Sequence, residues 1–78
     1  MASAAYILIN VIAESALKSL KEIRKIKEVK QAHLVTGLYD IVAYLETSDV
    51  TTLGSTIITK IHQVKGISKT LTCVAVQK

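Results

Sequence analysis

The sequence predicts an α+β fold, a four-stranded antiparallel sheet with both helices on one face. Three observations carry that prediction. The chain has 78 residues, enough for one domain and no more. Four apolar, β-rich segments and two segments of helical periodicity follow one another as strand, helix, strand, strand, helix, strand. A weak internal repeat divides them into two halves: Ile26-Lys27-Glu28-Val29 and Val64-Lys65-Gly66-Ile67 each lead from a helix into a strand with the pattern apolar-Lys-x-apolar. Two βαβ halves in tandem give the ferredoxin-like βαββαβ sandwich.

Residues 4–12 (AAYILINVI) carry β-branched and apolar side chains on both alternating sets, the pattern of a strand covered on both faces. Ser15 is placed to cap a helix over 15–26, in which Ala16, Leu20 and Ile23 recur at helical spacing, flanked by Leu17 and Ile26. Lys18, Lys21 and Lys25 fall on its opposite face. Residues 29–36 and 40–47 read as two strands. Gly37 between them supplies the φ > 0 backbone that short links need. The segment 48–64 is ambiguous, because its Thr and Ile content favours a strand. Leu53, Ile57, Ile61 and Val64 nevertheless form a helical stripe that Asp49 or Ser48 can cap, and its length exceeds a typical strand. Gly54 inside this helix costs about 1 kcal/mol against Ala; a close helix approach would explain it, but the sequence does not show one. Residues 67–77 form the last strand.

So small a domain buries only about 60% of its unfolded surface and needs staples or partners. Cys73 is the single cysteine, read as a small buried apolar residue, and neither His33 nor His62 has a ligand-spaced companion. No disulfide, metal or other cofactor is therefore expected. Half the residues are hydrophobic. Helices cover one sheet face only, so a second subunit is expected on the other. The N-terminus lacks the basic start of a signal peptide, no apolar run reaches membrane-spanning length, and a lone thiol suits the cytoplasm. The net charge of +4 gathers between Lys18 and Lys30. A nucleic-acid patch and a solvated helix face both fit. The second is preferred, because the segment holds no aromatic side chain.

The stretch 33–46 (HLVTGLYDIVAYLE) carries more chemistry at its tip than a bare hairpin turn requires. Val35-Thr36-Gly37, Tyr39-Asp40, Gly66-Ile67 and Thr70-x-Thr72 together resemble the effector-binding domain of the leucine-responsive regulatory protein/asparagine-regulator (Lrp/AsnC) family. The resemblance runs from Tyr6 to Val76. Two departures stand out: no helix-turn-helix domain precedes the first strand, and the links at 26–29 and 64–67 lack the proline frequent in the family. The chain is accordingly expected to be the stand-alone form of the domain, 1–78, with no specific DNA binding of its own.

The resemblance implies a non-enzymatic sensing and oligomerisation module of transcriptional regulation. Its sheets would face each other in a homodimer, and dimers would assemble further, commonly to octamers. A free amino acid effector would bind between dimers near Thr36, Gly37, Leu38, Tyr39 and Asp40, with Thr70 and Thr72 as further contacts. Asp40 would accept the ligand ammonium and Tyr39 would wall the pocket. The plainer alternative is a turn whose Tyr39 packs on a neighbour and whose Asp40 binds backbone amides. Full-length regulators of the same family are candidate partners. Two other functions share the topology: a regulatory domain of the aspartate kinase/chorismate mutase type, which lacks the Thr-Gly-x-Tyr-Asp tip, and a small dimeric α+β barrel enzyme, for which only His33, Asp40 and Tyr44 offer acid/base groups.

Overall fold

A computed structural model describes residues 3–76. Its elements are β1 (Ser3–Val11), a 3-10 turn (Ala13–Ser15), α1 (Ala16–Arg24), β2 (Val29–Leu34), β3 (Ile41–Thr47), α2 (Val50–Thr56, prolonged by a π-helical turn Ile57–Ile61) and β4 (Ile67–Val74). The sheet order is β2-β3-β1-β4, with all neighbours antiparallel. This is the βαββαβ sandwich read from the sequence. The expected end of the last strand overshoots: β4 stops at Val74, and Gln77 lies outside the described residues.

The core lies between the helices and one face of the sheet. Ala5, Ile7, Ile9 and Val11 of β1 and Ile41, Ala43 and Leu45 of β3 point into it, meeting Leu20 and Ile23 of α1 and Leu53, Ile57 and Ile61 of the second helix. In β1 and β3 the odd-numbered positions are thus the buried set, as a period of two demands. The stripe that argued for a helix over 48–64 is the buried one, with Val64 packed at its margin. Asp49 is the cap: its Oδ1 accepts from Thr52 N at 2.7 Å, and that amide holds its carboxyl below the usual value.

Local features differ from the sequence reading, or add to it, at four places. Ser15 makes no side-chain cap bond, because the chain enters α1 through the 3-10 turn with Ser15 already near helical angles. Leu17 is exposed, since only one stripe of α1 meets the sheet. A Cβ built on Gly54 meets nothing within 4 Å, so no close approach accounts for that glycine. Cys73 is exposed, because it sits on edge strand β4 and pairs with Tyr6 on the face away from the helices.

Gly66 is the glycine the packing needs. Its φ is +95°, and an added Cβ would stand 2.6 Å from Ser15 Cβ and 2.8 Å from Ser19 Oγ. The link 64–67 therefore presses directly on the start of α1. Ser19, fully buried, donates from Oγ to Lys65 O at 2.8 Å and ties the same two segments together.

Candidate functional site

The loop between β2 and β3 is built by β1 as much as by its own residues. Asp40 N donates to Ile9 O at 2.9 Å, and Val35 N donates to Asp40 O at 2.8 Å, closing the loop at its base. Asp40 Oδ2 accepts from Val11 N at 3.0 Å and from Asn10 Nδ2 at 3.4 Å. Asn10 Nδ2 also donates to Leu38 O at 2.9 Å. Gly37 takes φ +134°, with open space where a side chain would stand. Leu38 is 90% exposed at the tip, Thr36 is exposed, and Tyr39 is half-buried.

The Asp40 carboxylate thus does what the plainer reading assigns it: one oxygen satisfies a backbone amide of the sheet. No hydrogen bond among the described residues reaches its Oδ1.

Thr70 and Thr72 do not join this loop within one chain. They pair with Ile9 and Ile7, and so lie on the helix side of the sheet. Asp40 continues the opposite set, that of Val42 and Tyr44. Thr70 Oγ1 instead lies 3.2 Å from His62 Nε2, a contact between β4 and the end of the second helix.

The face away from the helices is apolar at its centre. Two rows cross it in register: Cys73, Tyr6, Tyr44 and Gln31, then Leu71, Leu8, Val42 and His33. The Tyr6 and Tyr44 rings lie 5.0 Å apart, tilted by 47°. Tyr44 OH donates to Glu46 Oε2 at 2.9 Å, and that carboxylate pushes the phenol's pKa up. Tyr6 is 50% and Leu71 47% exposed, so large apolar side chains stand uncovered in the single chain.

The lysine-rich segment acquires a structural account. Arg24 reaches across to β2, donating from Nε and Nη2 to Ala32 O at 3.0 and 2.7 Å. Lys25 pairs with Glu22 at 3.3 Å and Lys60 with Glu28 at 3.0 Å, which lowers the Glu28 pKa. Lys18, Lys25, Lys27, Lys60 and Lys65 line a groove of about 700 Å³ between the two helices. Several of these cations stand at helix C-termini, where the helix dipole favours positive charge. No aromatic side chain lines the groove. A solvated, dipole-complementing surface explains it. Among the described residues no group of three or more His, Cys, Asp or Glu could hold a metal, and no helix is long and apolar enough to cross a membrane.

The architecture is an antiparallel ferredoxin-like sheet with one face bare and apolar at its centre and a glycine loop anchored at its end. The chain belongs to the Lrp/AsnC ligand binding domain family, whose model matches residues 4–78. Among solved structures it is similar to Escherichia coli AsnC, with 25% identity and a TM-score of 0.91 over 97% of this chain; it spans only 52% of that one. A Thermus thermophilus protein is similar over nearly its whole length, with 26% identity, a TM-score of 0.92, and 97% and 95% of the two chains covered. A Neisseria meningitidis transcriptional regulator, solved as a complex with L-Met, shares the fold at 17% identity and a TM-score of 0.84, with 97% of this chain and 51% of that one covered. Comparison with curated proteins found no match.

Sequence reasoning missed Asn10, Arg24 and Ser19. Asn10 and Ser19 bond to partners 28 and 46 residues along the chain, and Arg24 reaches from α1 to a carbonyl of β2. Asn10 alone left a trace, as the polar interruption of an otherwise apolar strand.

Proposed function

We propose that this chain is an amino-acid-sensing and oligomerisation module, 1–78 acting as one unit, that serves transcriptional regulation in the cytoplasm. The observation that carries the reading is the Thr36–Asp40 loop: exposed, anchored from below, and offering a free carboxylate oxygen beside backbone that no side chain obstructs at Gly37. A zwitterion needs an acceptor for its ammonium and donors for its carboxylate, and such a loop supplies both. The L-Met held by the Neisseria regulator supports a free amino acid as the ligand class. The bare sheet face would bury itself against a second copy, and dimers would meet at the loop ends to close the ligand site. Thr70 and Thr72, on the helix side of the sheet and so away from the loop's face within one chain, would enter the site only from a neighbouring subunit. Full-length family regulators would associate through the same contacts. Family membership favours a binding role over catalysis. Calorimetric titration with the twenty amino acids tests the reading: at least one should bind at millimolar concentration or tighter. Binding of none would leave a purely architectural adaptor as the better account.

A further inference from the structure

Asn10 lies between the two halves of the motif, a position to which the ligand-site reading gives no role. On one side its Nδ2 donates to Leu38 O, and it leans on Asp40 Oδ2. On the other its main-chain carbonyl accepts from Ser68 Oγ at 3.2 Å, at the bulge where the β1–β4 register slips. Two residues further, Ile12 N donates to Gly66 O at 2.9 Å. The Thr-Gly-x-Tyr-Asp loop and the Gly-Ile turn are therefore joined through the end of β1. Among the described residues, the bond from Asn10 to Leu38 O is the one hydrogen bond made by residues 36–39.

That bond fixes a direction. In a trans peptide the carbonyl and the following amide point opposite ways. Leu38 O turned down to Asn10 turns Tyr39 N–H outward, towards the space a ligand carboxylate would take. The bonds from Asn10 and Val11 occupy Asp40 Oδ2 and leave its other oxygen unbonded among the described residues.

We infer that Asn10 is a positioning residue for the ligand loop: it orients the Tyr39 amide as a carboxylate donor and holds Asp40 as an ammonium acceptor. The inference rests on the loop being the amino-acid site. Two variants test it. Asn10→Ala removes the donor. Asn10→Asp keeps the shape but sets an oxygen against Leu38 O and a second negative charge beside Asp40. Amide exchange at Val11, Val35 and Asp40, with Ala43 as control, should speed up by about tenfold in both variants at neutral pH. On acidification the introduced carboxyl takes up a proton and can donate it to Leu38 O. The Asn10→Asp exchange should then return towards wild type, while that of Asn10→Ala should not. Affinity for the best-bound amino acid should fall by about tenfold in both variants at neutral pH. Wild-type exchange in both variants overturns the inference, as does faster exchange in Asn10→Asp with no recovery in acid. Failure of the wild type to bind any amino acid removes the ligand reading alone, because the exchange measurements still decide whether Asn10 holds the loop.

Discussion

Asp40 serves the fold with one oxygen and is free with the other, which makes two substitutions informative. Asp40→Ala strips Val11 N of its acceptor and should destabilise the chain by about 1–3 kcal/mol, the usual cost of an orphaned buried group, read by urea unfolding. Asp40→Asn keeps an oxygen for Val11 N and removes the charge. In calorimetry it should weaken amino-acid binding by about 1.5–3 kcal/mol while light scattering shows the assembly intact. Equal affinities would take Asp40 out of the site. Two glycines should respond to alanine with opposite signs. At Gly66 a Cβ collides with Ser15 and the φ of +95° is strained, so Gly66→Ala should cost on the order of 1–3 kcal/mol. At Gly54 the helix has open space, so Gly54→Ala should stabilise by about 0.5–1 kcal/mol. Thermal melts of both variants check the contrast. The contrast between Gly54 and Gly66 could not be read from the sequence, since it depends on which neighbours stand in place.

The second helix shows how an element's identity can be legible while its ends are not. Its strand-like composition yields to the buried stripe of Leu53, Ile57 and Ile61, because core burial outweighs intrinsic propensity. The π-helical turn over Ile57–Ile61, with His62 N donating to Ile57 O at 3.0 Å, left no mark in the spacing. The start of the helix was legible through Asp49. Its carboxyl titrates below the ordinary value because the Thr52 amide binds the charged form. A depressed folded pKa means the cap's contribution is present above the unfolded value, about 3.9, and disappears as pH falls through the folded one. Asp49→Ala should therefore lower Tm at neutral pH, and the gap from wild type should narrow in acid. A gap independent of pH down to strong acid would show that the charge plays no part.

For the whole molecule, the bare sheet face governs what can be measured. Two apolar rows centred on Tyr6, Leu8, Val42 and Tyr44 should close against a second copy. The chain should then scatter light as a dimer or larger at micromolar concentration, and its Tm should rise with concentration. Leu71→Glu places like charges across that interface and should yield monomers; an unchanged assembly would put the interface elsewhere. Charge predicts a further property. The lysines of the helix layer are spread, part-paired and without stacking partners. Duplex DNA should accordingly bind weakly, without sequence preference, and lose affinity steeply as salt rises. Tight binding to one sequence at physiological salt would contradict this.

Periodicity set the order of elements and the inward stripe of each helix, because burial acts on every residue of a repeat and so leaves a repeat in the sequence. The paired motifs around Gly37 and Gly66 marked the family for the same reason: each glycine answers a local backbone demand. Tertiary structure alone decided that Asn10 and Asp40 clamp the loop to β1, that Thr70 and Thr72 lie on the other side of the sheet, and that Cys73 is exposed. Those facts depend on which strand is at the edge and which residues meet across distant stretches of chain. A hydrogen bond between distant partners imposes no spacing on the sequence that carries it.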